Sequence, residues 1–321
     1  MLKKRLWHDL NRETNPIGFG CWQIAGNHTA NGKPNGWGDI DERKAVALLT
    51  RAMSSGIDFY DTAQGYNNGN SEMLLGKAMA NAKKRPLICS KIALTSDEIT
   101  NCNLNDDFVL KVEKSLKRLQ TEQIDILLLH NPPDSIDWTS FAQSILIALK
   151  EQGKIGTFGV SSISINGAKN AAKANFGSTI EWVFNVFERR PVTELFPLLR
   201  EKKMNFIARS PLSRGLINPK YITSEPKFDE NDFRSTLPGD WVKWGISQLR
   251  KMNSNGVESK DIISFSLNYY SLFREVTSTI VGIKTMEQLD AISEIMNDSA
   301  SQKYLEESVL ANIPECYPKW K

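Results

Sequence analysis

Cysteine is scarce: Cys21, Cys89, Cys102 and Cys316 are the only four in 321 residues, and no pair has CxxC spacing. A disulfide framework and a cysteine-rich zinc module are excluded, and the thiols read as reduced, as in a cytoplasmic protein. Histidine is scarcer still. His8, His28 and His130 stand far apart without an HExxH, so no metal is expected. No run approaches 18 apolar residues, which excludes a bilayer-spanning helix, and no membrane partner is expected. Met1-Leu2-Lys3-Lys4-Arg5 looks like the charged start of a secretory leader, but no apolar stretch follows it. Nor does one sign of charge dominate. Lys and Arg number 40 against 37 Asp and Glu, for a formal net charge of +3. Basic residues cluster only briefly, as at Lys83-Lys84-Arg85, so nucleic acid is not an expected partner.

What the sequence does have is alternation. Hydrophobic residues make up 40%, enough at this length for a substantial core. Short apolar runs recur at 17–20, 57–60, 87–90, 126–129, 155–160, 179–184, 205–208 and 277–281. Several are apolar on consecutive positions, as parallel strands buried on both faces require. Between them lie helical stripes. One is Phe108, Val112, Leu116 and Leu119, starting at Asp106 or Asp107; another is Trp138, Phe141, Ile145 and Leu149, with Asp137 as N-cap. Strand then helix, eight times over, predicts an α/β fold of the (β/α)8 barrel type in a single domain spanning 1–321. An open doubly wound sheet is the rival. Leu6–Leu10 and Asn11–Asn15 fit a small hairpin closing the barrel floor. The polar, proline-containing stretch 213–240 is read as a lid or binding loop. The tail 301–321, with Tyr304, Tyr317 and Trp320, either covers the mouth or docks on the barrel.

Chemistry in such a barrel gathers where strands end. The second run ends in Asp61, the third in Lys91, the fourth in His130 and the fifth in Ser161-Ser162, while Tyr66 follows Asp61 by five residues. Each has a plain structural alternative: a helix cap, a solvated amine, a packed imidazole, a loop phenol. Together they form an acid–base relay. A phenol titrates near about 10, too high for an efficient proton donor near neutrality. An ammonium about 4 Å away favours the phenolate by up to about 4 kcal/mol at an effective dielectric of about 20, which would bring Tyr66 toward about 7. Asp61 would keep Lys91 charged, and His130 would hold a carbonyl oxygen.

At these residues the sequence resembles the aldo-keto reductase superfamily, NADPH-dependent carbonyl reductases built on a (β/α)8 barrel. The passage 56–63, Gly-Ile-Asp-Phe-Tyr-Asp-Thr-Ala, continues through Gly65-Tyr66, Gly69-Asn70-Ser71-Glu72 and Leu74-Leu75-Gly76-Lys77-Ala78. Ser90-Lys91, the run Asp125 to His130, Gly159-Val160-Ser161 and Ser210-Pro211-Leu212-Ser213-Arg214-Gly215 extend the likeness, which covers about residues 17–289. The resemblance implies Tyr66 as general acid, Lys91 tuning it, Asp61 holding Lys91, and His130 orienting a small-molecule carbonyl. It implies NADP(H) lying across the mouth, consistent with the lack of a GxGxxG. Trp22, Asp61, Ser161, Ser162, Glu181 and Arg209 would surround the nicotinamide. Ser210, Leu212, Ser213 and Gly215, with Lys220 and Arg234, would line the diphosphate. Gly282, Lys284, Thr285 and Gln288 would take the adenosine end, Lys284 and Thr285 reading the 2′-phosphate.

Four positions depart from the family pattern. Ser161-Ser162 replaces a serine-asparagine pair, Glu181 a glutamine, Arg209 a stacking aromatic, and Ala291-Ile292 a glutamate-asparagine pair. Arg209 beside a nicotinamide would disfavour the cationic oxidised ring, unless Glu181 pairs with it or it turns toward a phosphate. Two other functions share the architecture: a Schiff-base lyase using a neutral Lys91, and an NADPH-sensing partner subunit with little turnover. An isomerase or dehydratase that recycles its hydride internally is a variant of the reductase. Substrate choice would rest on the long loops and the carboxyl tail, with Trp22, Trp37, Trp138 and Trp241 as candidate pocket walls, Trp22 first because it follows the first strand.

Overall fold

Consecutive apolar residues become strands here because each strand is covered twice, by side chains inside a barrel and by helices outside it. The computed structural model describes residues 2–30, 32–80, 82–297, 307–310 and 312–320. Its strands are β1 (Arg5–Trp7), β2 (Arg12–Thr14), β3 (Ile17–Gly20), β4 (Thr29–Ala30), β5 (Lys33–Pro34), β6 (Phe59–Asp61), β7 (Leu87–Ile92) and β8 (Ile124–His130). β9 (Ile155–Ser161), β10 (Thr179–Val183), β11 (Asn205–Arg209) and β12 (Val276–Gly282) follow. β3 and β6 to β12 pair in parallel in chain order, and β12 returns to β3 to close the barrel. All eight predicted runs are barrel strands; the open-sheet rival is excluded.

Side-chain alternation divides the core in two. Phe59, Leu87, Cys89, Ile126, Leu128, Ile207 and Ile280 fill the barrel axis, while the intervening residues pack against the helices. β1 and β2 form the expected antiparallel hairpin beneath the floor. Its Trp7 is fully buried against Phe59, ring centroids 4.9 Å apart, and its indole N–H donates to Thr14 Oγ1 at 2.8 Å.

Two predicted helix starts differ. Helix Asp106–Leu119 is capped by Asn105, whose side chain accepts from the Phe108 N–H, rather than by Asp106 or Asp107. Asp137 closes a turn through the Thr139 N–H and the Ser140 hydroxyl, so the helix begins later, at Ser144–Glu151. A side chain that satisfies a local turn competes with helix initiation.

The stretch 213–240 contains three 3-10 turns, Ser213–Gly215, Pro219–Ile222 and Phe233–Thr236, before helix Gly239–Ser254. It crosses the mouth as a strap: the Phe233 N–H donates to Gly36 O at 2.9 Å, and Asp232 pairs with Trp37 in a β-bridge. In the tail, Tyr304 lies outside the described residues, and Tyr317 packs on Trp244 at 5.4 Å rather than over the mouth.

Candidate active site

Period two explains why the polar strand ends meet. Asp61 follows inward Phe59 by two residues, Lys91 follows Cys89, His130 follows Leu128, and Arg209 follows Ile207. All therefore point into the axis, one layer above the apolar plug. Strand register places them side by side: Asp61 opposite Cys89, His130 opposite Ser161, Ser161 opposite Glu181.

Lys91 is the hub and is fully buried. Its Nζ donates to Asp61 Oδ1 at 2.5 Å, to Thr62 O at 3.0 Å and to Tyr66 Oη at 3.3 Å. Glu181 Oε2 lies 3.5 Å from the same nitrogen, and Glu181 Oε1 accepts from Ser161 Oγ at 3.0 Å. Burial opposes the ammonium, but Asp61 and then Glu181 outweigh it and raise its proton affinity well above that of an ordinary lysine. Asp61, Cys89 and Glu181 bring ligand-type atoms within 4.8 Å of one another, but the ammonium sits against both carboxyls.

Tyr66 is placed by the loop that follows β6. Asn67 and Asn70 both donate to Ala25 O, and Ser71 Oγ donates to Cys21 O, tying this loop to the one after β3. Buried Glu72 anchors the next helix to Arg118 and Ser90. The Tyr66 ring stacks on Trp22 at 6.0 Å and meets His130 edge-on at 5.8 Å. The expected contact with Lys91 is present, but not the expected drop in proton affinity. Burial first, then Asp61 and Glu181, raise Tyr66 above an ordinary phenol despite Lys91. His130 moves the other way: burial, then Lys91 and Arg209, push it down to about 3, so the imidazole is neutral.

Above this cluster opens a cavity of about 640 Å³, lined by Trp22 after β3 and by Tyr66, His130, Ser161, Glu181 and Arg209 on and after β6 to β11. Ser210, Leu212, Gly215, Arg234, Gly282, Lys284 and Gln288 line the rest. Lys284 Nζ donates to Trp37 O, and its N–H to Gln288 Oε1. Other expected residues lie elsewhere. Lys220 is exposed, its ammonium over Tyr221. Ser162 turns its hydroxyl to Ser164 O and offers only its carbonyl, to Arg209 at 3.0 Å. Ser213 is buried outside the lining, in a left-handed turn with φ 48°. Thr285 is exposed and caps the next helix through the Gln288 N–H. Arg234 lines the cavity but is already paired with Asp232.

Glu181 pairs with Lys91, not with Arg209 as sequence allowed. Among the described residues Arg209 forms no ion pair, and its buried Nε has no partner. Nearby Arg214, which sequence reading passed over, also has no acidic partner among the described residues; it stacks on Trp241 at 5.6 Å, and burial, then Arg209, push it down to about 10. Its one signal was its place beside Gly215, where the chain turns left-handed at φ 54°. Of the four tryptophans proposed as pocket walls, Trp22 and Trp37 line the cavity and meet Phe233 at 4.6 Å each. Trp138 packs on Phe141 and Phe176, and Trp241 is buried beneath Arg214.

Comparison with known proteins bears on the fold and the family. The sequence profile of the aldo/keto reductase family matches residues 16–309. The chain is 28% identical over 298 residues to the aldo-keto reductase YhdN of Bacillus subtilis (strain 168), covering 89% of this chain and 86% of that one. The holo form of aldo-keto reductase AKR11C1 from Bacillus halodurans superposes with TM-score 0.75 at 21% identity, over 100% of this chain and 99% of that one. An aldo/keto reductase from Klebsiella pneumoniae in complex with NADP and acetate gives 0.67 at 19%, over 99% and 97%. With the family profile spanning nearly the whole barrel, the chain belongs to the aldo/keto reductase family.

Proposed function

We propose that this chain reduces an aldehyde or ketone to an alcohol, with NADP(H) as cofactor. One observation carries the reading: a phenol, a buried ammonium and a neutral imidazole converge at the floor of the cavity. The cofactor fits the residues present. Arg209 and Arg214 offer guanidinium charge without acidic partners among the described residues, and Lys284 and Gln288 line another part of the cavity. The Klebsiella pneumoniae relative in complex with NADP supports the choice of cofactor.

When bound, NADPH supplies the hydride that reaches the carbonyl carbon. The chain's own residues handle the oxygen. Neutral His130 can donate an N–H to the carbonyl oxygen without competing for its proton. Tyr66 gives its proton to the alkoxide as it forms, and Lys91 stabilises the resulting phenolate across 3.3 Å. The raised affinity of Tyr66 keeps the phenol protonated until negative charge develops on the substrate. A Schiff-base lyase would need Lys91 as a free amine, which two acidic neighbours oppose.

The test is oxidation of NADPH against a panel of aldehydes, ketones, quinones and keto-sugars, with Tyr66→Phe as control. Loss of about 10²-fold or more in turnover with unchanged NADPH affinity is expected. Full turnover by Tyr66→Phe would overturn the acid assignment. NADPH binding without turnover on any carbonyl would favour the sensing subunit.

A further inference from the structure

Lys91 faces two carboxyl groups but neutralises only one. Both are almost wholly buried, Asp61 and Glu181 at 1% exposure each, so a second full negative charge in this layer would be costly. Two atoms show where the balance lies. Among the described residues, Asp61 Oδ2 and Glu181 Oε2 are buried side-chain oxygens without a hydrogen bond, Glu181 Oε2 having only the 3.5 Å ion pair with Lys91, and the two carboxyls bring ligand-type atoms within 4.8 Å of each other. A carboxylic acid donating to a carboxylate satisfies both atoms at once and brings the triad to zero net charge.

We propose that Asp61 and Glu181 share one proton at neutral pH, making Glu181 a positioning residue that stores the proton with which Lys91 restores Tyr66. The inference rests on Tyr66 as the acid. The surrounding groups leave the store undisturbed: Cys21 and Cys89 are held as thiols by burial, His130 is neutral, and Arg209 on β11 faces the Ser162 carbonyl. During reduction the Tyr66 O–H bond breaks as the alcohol O–H bond forms. The phenolate then takes a proton from Lys91 Nζ, and the neutral amine takes the shared carboxyl proton along the 2.5 Å contact with Asp61 or the 3.5 Å contact with Glu181. Both carboxyls end ionised and recover one proton from solvent. The proton reaching the alcohol thus precedes the solvent proton that replaces it.

Infrared spectroscopy of the cofactor-free protein tests the store itself. A protonated-carboxyl C=O band that shifts in D₂O is expected near neutral pH in the wild type and should vanish in both Glu181→Gln and Asp61→Asn. Single-turnover reduction followed with a pH-indicator dye tests its use: proton uptake should lag NADPH oxidation in the wild type and keep pace with it in Glu181→Gln. A band absent from the wild type, or unchanged in both variants, overturns the shared proton; identical uptake kinetics overturn the relay. Because the infrared measurement needs no turnover, its failure is distinct from failure of the Tyr66 assignment, which the Tyr66→Phe assay reads.

Discussion

Replacing Lys91 by Met keeps the volume of the hub side chain and removes its charge. Four contacts go with the ammonium, at 2.5 Å to Asp61, 3.0 Å to Thr62 O, 3.3 Å to Tyr66 and 3.5 Å to Glu181. If the carboxyls stayed as they are, stranding a buried charge would cost about 3–5 kcal/mol. They have an alternative, which is to take up one further proton. That proton costs little near the ordinary carboxyl range and about 1.4 kcal/mol more for each pH unit above it. The sign follows from Asp61, whose affinity is already raised by burial and then by Glu181. A group raised in the folded state contributes stability that is full below its unfolded value and is lost as pH rises through its folded value. Lys91→Met should therefore be mildly destabilised near about pH 5 and increasingly so toward about pH 7, by about 3 kcal/mol over that interval, then level off at the stranded-charge limit. Urea unfolding of wild type and variant at a series of pH values reads this directly. A difference in unfolding free energy that stays flat with pH would refute the buried two-carboxyl account.

Further outcomes follow from other residues. The wild-type pH profile for reduction should show no imidazole ionisation above about pH 4, since His130 gains charge only as pH falls toward about 3; His130→Gln should lower kcat by about 10²-fold without adding an ionisation. Arg209→Phe should narrow the preference for NADPH over NADP+, measured as the ratio of the two dissociation constants, by about fivefold, because Glu181 does not offset the guanidinium. An unchanged ratio would show that Arg209 does not sense the nicotinamide charge. Trp7→Ala should cost about 3–5 kcal/mol in urea unfolding, as for a large aromatic removed from a closed core.

Much of this was legible in the sequence because barrel strands impose a rule that residues display. Short apolar, β-branched or aromatic runs marked all eight strands, several of them apolar on consecutive positions, and the polar residue ending a run marked Asp61, Lys91 and His130. The loop carrying Tyr66 was legible through the residues that resemble the family pattern. Local rules failed where side chains had several equivalent uses. Asp137 could cap a helix or a turn and took the turn; Asn105 displaced its two acidic neighbours. Cofactor candidates were weaker because a loop residue's chain position does not fix its direction, as Ser162, Ser213 and Lys220 show. Glu181 was found by resemblance, with pairing to Arg209 as one alternative, and its ion pair is with Lys91 instead. Its neighbour across the axis depends on where β7 and β10 aim their side chains, which no linear pattern records.

The amino-terminal hairpin lies at the end of the barrel opposite the cavity, yet it governs what the reacting groups experience. Trp7 is wedged beneath Phe59 and both rings are fully buried, so the base of the axis is closed by apolar packing while the cavity opens on the other side of the charged cluster. The medium around Lys91 thus remains weakly polarisable, the condition under which a single displaced charge has a large effect. Loosening the first fourteen residues would amount to changing the solvent in which the proton moves, without touching a single group that moves it.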